Sequence, residues 1–335
     1  MQVIELLAPG LDNLRAGTRP DPRPGPNEVL VRLRAASLNY LDLMVARGQY
    51  TGVTFPMIPV ADGAGEIVET GPGVTQWKAG DRVIPHFLPN WKSGPLAEQS
   101  VSAIRGVSAQ GSLAEYVLLP ADGVVATPSH LSDAQAAALP IAATMAWSAL
   151  TQSDIHPGDT VLLLGTGGVS IMALQLAKAA GARVVITSSS DAKLEHAREL
   201  GADGVVNYRR TPDWDAEVLR LTGGQGVKLV IESGGTDTFA RSLNAVGVGG
   251  TIFVIGMLSG LEVKWNVLPL IQKAVRVQGY NTGSVARLAE VARALESNRI
   301  VPVIDDIFDW REALRGYRTL AEASHFGKLA FTIGA

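Results

Sequence analysis

Along the first third of the chain apolar residues recur at short spacing. Residues 28–35 (EVLVRLRA), 63–71 (GAGEIVETG), 81–85 (DRVIP) and 114–119 (AEYVLL) place apolar side chains at every second position or in short runs, with Pro and Gly clusters between them. This predicts a β-rich domain, barrel-like or irregular. Residues 87–111 read as loop, with Pro89, Gly94, Pro95 and several serines. From residue 132 the period lengthens, and 132–139 and 141–150 predict helices. Beyond 159, apolar strands at 161–164, 184–186, 204–206, 229–231, 251–255 and 275–278 alternate with helical patterns such as 191–200, 213–222 and 237–245. Strands alternating with helices predict a doubly wound parallel α/β sheet. Helices are expected at 287–296 and 310–323, then a last strand at 328–333. That strand has no place in the parallel sheet, so it is assigned to the first domain. Two domains are therefore expected: 1–125 with 281–335, and 126–280.

The densest pattern is VLLLGTGGVSIMALQLAKAAGA, starting at Val161. Four apolar residues lead into Gly165-Thr166-Gly167-Gly168, and after Val169 the apolar positions take helical spacing until Gly181. Strand, glycine turn and helix in this order suit a dinucleotide. Glycines let a pyrophosphate approach the backbone, and the helix N-terminus offers N–H groups and partial positive charge. Ser170 stands where the third glycine of G-x-G-x-x-G would be.

Composition narrows the class. The chain has 335 residues, 47% hydrophobic and 18% charged, long enough for two domains. A net charge of −3 gives no general attraction to nucleic acid or anionic membrane, and no basic stripe suggests RNA binding. Cysteine is absent, which excludes disulfides and thiolate chemistry and removes the commonest soft zinc ligands. MQVIELLAPG lacks the features of an export signal and no apolar run approaches membrane-spanning length, so a cytoplasmic location is expected.

The phrases Ala36-Ser37-Leu38-Asn39-Tyr40-Leu41-Asp42, Gly63-Ala64-Gly65-Glu66-Ile67-Val68, Pro157-Gly158-Asp159-Thr160-Val161-Leu162 and Ala197-Arg198-Glu199-Leu200-Gly201-Ala202-Asp203 stand in this order. Together with the domain pattern they make the chain resemble the medium-chain dehydrogenase/reductase superfamily, and in particular its zinc-free quinone oxidoreductase branch. The resemblance implies a GroES-like β-rich catalytic domain beside a Rossmann dinucleotide domain. In the alcohol dehydrogenase branch a catalytic zinc is held by Cys, His and Cys. Those places fall here at Asn39, Ala61 and Pro140, so no metal is expected. The five histidines, His86, His130, His156, His196 and His325, are scattered.

NAD-selective sheets carry an acidic residue at the end of the second strand to bind the ribose 2′-hydroxyl. Here that residue is Ser188, followed by Ser189, Ser190 and, in the next helix, Lys193, so NADPH is expected. Ser189 or Ser190 also reads as the cap of that helix. Tyr208 and Arg209 are candidates to flank the adenine end, or are plain loop residues. The turns Ser233-Gly234-Gly235 and Ile255-Gly256-Met257 belong at the carboxyl edge of the sheet, where the nicotinamide is expected, with Asn281 nearby; the resemblance adds Thr144. Without a metal the favoured acceptor is a quinone or enone, whose incoming charge is delocalised and needs only hydrogen bonds. Asn39 is the expected donor to that oxygen and Tyr50 a second candidate. Met44 stands where related enzymes often carry a tyrosine. Met44, Tyr50, Phe87, Trp91 and Met257 are read as pocket lining, apolar and aromatic. Two alternatives remain at this point: reduction of simple aldehydes or ketones, and an NADPH-binding module without catalysis, like the lens crystallins resembling this family. A homodimer through the edge strand near 275–279 is expected, unless Lys273 and Arg276 blunt that edge.

Overall fold

The computed structural model describes residues 1–334. The chain divides into two compact units, Met1–Thr144 with the segment from Gly283 onward, and Met145–Thr282. In the first unit β1 (Gln2–Leu6) and β2 (Leu14–Thr18) form an antiparallel ribbon. A mixed sheet is built on β3 (Glu28–Ser37), followed by β4 (Asp62–Thr70), β5 (Arg82–Pro85), β6 (Tyr116–Pro120) and β7 (Val124–Ala126). β3 pairs antiparallel with β4 over nearly its whole length. Gly65 permits that pairing, because a Cβ there would stand 2.0 Å from the Arg32 carbonyl oxygen.

The second unit holds β8 (Thr160–Leu164), β9 (Arg183–Ser188), β10 (Gly204–Asn207), β11 (Val227–Glu232), β12 (Val246–Val254) and β13 (Arg276–Gly279). All pairs are parallel, in the order β10-β9-β8-β11-β12-β13. β8 is almost wholly apolar because helices cover both faces of such a sheet, and each buried Val or Leu contributes about 1.5–3 kcal/mol. The strand order reverses between β8 and β11. Their carboxyl ends, at Leu164 and Glu232, therefore flank the crevice in which ligands of open α/β sheets bind.

The chain then returns to the first unit through helix Val285–Asn298, β14 (Ile304–Asp309), helix Ala313–Glu322 and β15 (Lys328–Thr332). β15 pairs antiparallel with the second half of β3, so the last strand lies in the first unit, as its pattern predicts.

The boundary at 125/126 needs correction. Residues 126–144 belong to the first unit, since β7 pairs with β5, Arg82 bonds to Asp133 and the Leu131 carbonyl, and the Ile141 N–H reaches Asp62. Asn281 and Thr282 belong to the second unit. Helix Tyr40–Ala46, the β1–β2 ribbon, β14 and helix Val267–Gln272 escape the periodicity, each being too short to establish a period. Among the described residues no helix is long and apolar enough to cross a membrane.

Candidate active site

In the second unit β8 ends at Leu164, and Gly165 turns the chain at φ +74, a left-handed conformation that favours glycine. Gly167 is the N-cap of helix Gly168–Ala179, at φ −81, and no side chain caps that helix. Gly167 is not required by its own backbone, nor by packing, because an added Cβ would meet nothing within 4 Å. The helix N-terminus thus presents open N–H groups over a cradle that a methyl group would begin to fill. That fits an anion brought close to the backbone. Thr166 is buried, while Gly168 and Val169 are half-buried. Ser170, in the place of the third glycine, donates its hydroxyl to the Leu164 carbonyl at 3.0 Å. It stitches helix to strand.

Ser188, buried at the end of β9, accepts the Ser190 N–H, and Ser190 caps helix Asp191–Glu199 by accepting from the Lys193 N–H. The capping expectation therefore holds for Ser190, with Ser189 half-buried between the two. No carboxylate stands at this strand end. Asp191, in the first helical turn, is occupied by Arg210 and Asn207. Tyr208 is exposed, its N–H bonded to the Ser188 carbonyl, and the Arg209 guanidinium makes no ion pair among the described residues.

Across the strand-order reversal, the Ser233 hydroxyl donates to the same Leu164 carbonyl at 3.1 Å. The turn after β11 is organised by Glu232, wholly buried. Its carboxylate accepts from the Gly234 and Gly235 N–H groups and the Thr238 and Ser242 hydroxyls. Its backbone carbonyl accepts from the Ile255 N–H. Gly256 lies against Ser233, a Cβ there being 2.6 Å from its carbonyl oxygen, while Met257 is exposed. Asn281 is also exposed, beyond β13. The expected nicotinamide turns, 233–235 and 255–257, are thus packed on one another at the carboxyl edge of the sheet. Thr144 is fully buried and its hydroxyl has no partner among the described residues.

The first unit brings together a charged network. Asn39 is the N-cap of helix Tyr40–Ala46; its side chain does not cap the helix, and Asp42 supplies only the returning half of a capping box. The Asp42 carboxylate accepts from the Asn39 N–H at 2.7 Å and the Ala61 N–H at 2.8 Å, which ties Asn39 to the start of β4. The Asn39 amide donates from Nδ2 to Asp62 Oδ2 at 2.8 Å, and its Oδ1 accepts from Lys328 Nζ at 2.6 Å. Lys328 also donates to the Leu38 carbonyl and lies 3.8 Å from Asp62. Arg105, buried, donates to the Ser112 hydroxyl and the Ala61 carbonyl. Burial pushes the Asp42 carboxyl up to about 7 against its two backbone donors. It raises Asp62 as well, against the pull of Lys328 and Asn39, and it lowers Lys328, which both aspartates oppose. Burial likewise holds His86 down, at about 4.

Asn39 therefore sits in a built site. Tyr50 is a half-buried residue packed against the core of the first unit. Phe87 and Trp91, read as pocket lining, are 5% and 4% exposed and serve as interior packing. Asp62, Lys328, Arg105 and Glu232 were missed as functional candidates. The usable signal is charge in an apolar strand, Lys328 opening KLAFT and Glu232 ending VKLVIE, since a charge is buried only with partners.

Comparison with known proteins places a family on each part of the chain. The alcohol dehydrogenase GroES-like domain matches residues 25–129, and the domain described as zinc-binding dehydrogenase matches residues 168–297. A zinc-type alcohol dehydrogenase-like protein of Schizosaccharomyces pombe is 38% identical over 92% of this chain and 91% of its own. The chain belongs to the medium-chain dehydrogenase/reductase superfamily. It is an oxidoreductase of that superfamily, with a GroES-like domain and a Rossmann-type sheet. Another medium-chain relative, the acryloyl-coenzyme A reductase of Metallosphaera sedula, is 30% identical over 93% of this chain and 94% of its own. The solved structure of an NAD-dependent alcohol dehydrogenase superposes with a TM-score of 0.91, at 35% identity and full coverage of both chains.

Several medium-chain relatives are named for zinc. The residues of this chain do not fit that ion. The three places converge on Asp62: Ala61 precedes it, Asn39 bonds to it, and Ile141, next to Pro140, donates its N–H to it at 3.3 Å. What they offer is an amide already bonded to an ammonium, a methyl group and a proline. Among the described residues no group of three or more His, Cys, Asp or Glu side chains is arranged to hold a metal.

Proposed function

We propose that this protein is an NADPH-dependent reductase of conjugated carbonyls, enones or quinones, and that it works without a metal. The observation that carries the reading is Asn39, hydrogen-bonded between Lys328 and Asp62 at the place where zinc-dependent relatives would hold their ion. A nicotinamide dinucleotide, when bound, supplies the hydride. Gly165, Thr166, Gly167, Gly168 and Val169 would hold its pyrophosphate over the helix N-terminus. The 233–235 and 255–257 turns, shaped by Glu232, would hold the nicotinamide, with Asn281 as a further contact.

Hydride arriving at an isolated ketone leaves an alkoxide, which calls for a Lewis acid or a strong proton donor. Hydride arriving at the β-carbon of an enone leaves an enolate, and at a quinone a hydroquinone anion. Hydrogen bonds suffice for these, and Asn39 has one further amide N–H to offer the oxygen. Solvent supplies the proton that completes the product. The acryloyl-coenzyme A reductase relative, named for a conjugated substrate, supports this class.

The coenzyme preference rests on Ser188. A carboxylate there would repel a 2′-phosphate; serine does not, and Ser189, Ser190, Lys193, Tyr208 and Arg209 surround the strand end with donors. A second reading, oxidation or reduction of simple alcohols, aldehydes or ketones with Tyr50 as donor, is favoured by the relatives named alcohol dehydrogenase.

The chain would pair with a second copy through β13, an edge strand. Beside it Val248, Leu261, Ile271 and Val277 are exposed. Of the two cations that could blunt this edge, Lys273 donates to the carbonyls of Leu243, Asn244 and Val246, while Arg276 is exposed on β13 itself.

The test is coenzyme oxidation against a panel of enones, quinones and simple aldehydes, with and without chelator. Turnover of the conjugated acceptors that survives chelation is expected. Activity confined to simple aldehydes or alcohols, or lost on chelation, would overturn the reading.

A further inference from the structure

A buried lysine is costly unless its charge is used, and Lys328 is 5% exposed. It opens β15, the strand that returns from the far end of the sequence to pair with β3, and so it is delivered beside the Leu38-Asn39 corner by the topology of the first unit. Its ammonium has three protons and no acceptor capacity. One goes to the Leu38 carbonyl and one to Asn39 Oδ1, each at 2.6 Å, and Asp62 lies 3.8 Å away.

The consequence falls on Asn39. A primary amide can rotate by half a turn and exchange its donor and acceptor ends. Between a pure donor, Lys328, and a carboxylate, Asp62, only one orientation satisfies both neighbours: carbonyl to the ammonium, NH2 to the carboxylate. One N–H of the NH2 group is then spent on Asp62 Oδ2. The other has no acceptor among the described residues, and Asn39 is half-buried rather than enclosed. An ammonium on the amide oxygen also draws electron density from the nitrogen, which strengthens that remaining donor.

We infer that Lys328 is a positioning residue for the reduction: it fixes the Asn39 amide with its free N–H as the donor to the substrate oxygen, and it brings positive charge to the place where zinc-dependent relatives carry theirs. This inference rests on the reading of Asn39 as the oxygen donor. Lys328 is buried, with its ammonium on the Leu38 carbonyl and Asn39 Oδ1, so its action on the substrate is assigned through the amide. The charged groups facing it are Asp62, Asp42 and, beyond Asp62, Arg105.

The experiment is a double-mutant cycle with Asn39→Ala, Lys328→Met and the two combined, reading kcat, acceptor KM and the dissociation constant of NADPH. Loss of one oxyanion donor costs about 10²–10³-fold in kcat. Lys328→Met is expected to lower kcat by about 10²-fold with NADPH affinity unchanged, and the combined variant to be no slower than the slower single variant. Multiplying losses, or full kcat in Lys328→Met while Asn39→Ala is slow, would overturn the inference alone. Unchanged kcat in Asn39→Ala would remove the oxygen-donor reading and this inference together. If Lys328→Met does not fold, Lys328→Met with Asp62→Asn removes one positive and one negative charge together, and is read against Asp62→Asn alone: a kcat well below that of Asp62→Asn supports the inference, and a kcat equal to it overturns the inference.

Discussion

Gly167→Ala separates packing within the protein from the approach of a ligand. The backbone of Gly167, at φ −81, is open to alanine, and the new methyl group would meet no atom within 4 Å. The only intrinsic cost is that of alanine at a helix N-cap, a few tenths to about 1 kcal/mol. If a pyrophosphate lies against this turn, the methyl group stands in its path. Displacing it by part of an ångström weakens its charge-assisted bonds to the backbone, each worth about 1.5–3 kcal/mol. The expected result is an unliganded protein melting within a few degrees of the wild type, with NADPH bound about 10–10²-fold more weakly in titration calorimetry. Gly65→Ala is the contrasting control. Its Cβ would meet the Arg32 carbonyl oxygen at 2.0 Å, so the unliganded first unit itself should be strongly destabilised. Unchanged NADPH affinity in Gly167→Ala would refute the placement of the dinucleotide on this turn.

Ser188→Asp places a carboxylate at the end of β9, and two like charges about 4 Å apart at an effective dielectric of about 20 repel by about 4 kcal/mol. With solvent screening, NADPH should bind at least 10-fold more weakly and NADH more tightly; equal effects on both coenzymes would remove the role given to Ser188. His86 is buried neutral and titrates at about 4, below its ordinary 6.5, so the unfolded chain binds more protons between these values. The stability this group contributes is fully present above pH 6.5 and lost as pH falls through 4, an amount of about 3 kcal/mol. Urea titrations from pH 7 to pH 4 should show a steeper loss for the wild type than for His86→Gln, and parallel slopes would contradict the assignment. Ile271→Glu, on the exposed apolar face beside β13, should convert a dimer to a monomer in light scattering, and an unchanged mass would place the interface elsewhere.

The sheet of the second unit was legible because its strands are apolar runs buried on both faces, punctuated by glycine turns, and periodicity reports that directly. The glycine turn at 165–168, between β8 and the helix that follows, was legible for the same reason. The boundary near 144 was not, because residues 126–144 are held in the first unit by single side chains, Asp133 on Arg82 and Asp62 on the Ile141 N–H, which leave no periodic trace. Asn39 could be named from its phrase, yet the network around it could not. Lys328 lies 289 residues away along the chain and meets Asn39 only because β15 pairs with β3. Glu232 was hidden differently, as a strand-end acid whose four donors come from the turn and helix that follow it.

The most direct measurement is the fate of the hydride in protein freed of metal and checked by elemental analysis. With an enone and NADPH deuterated at the transferred position, the account predicts undiminished turnover and deuterium on the β-carbon of the saturated product. Deuterium on the carbonyl carbon, or turnover that returns only when zinc is added back, would contradict it.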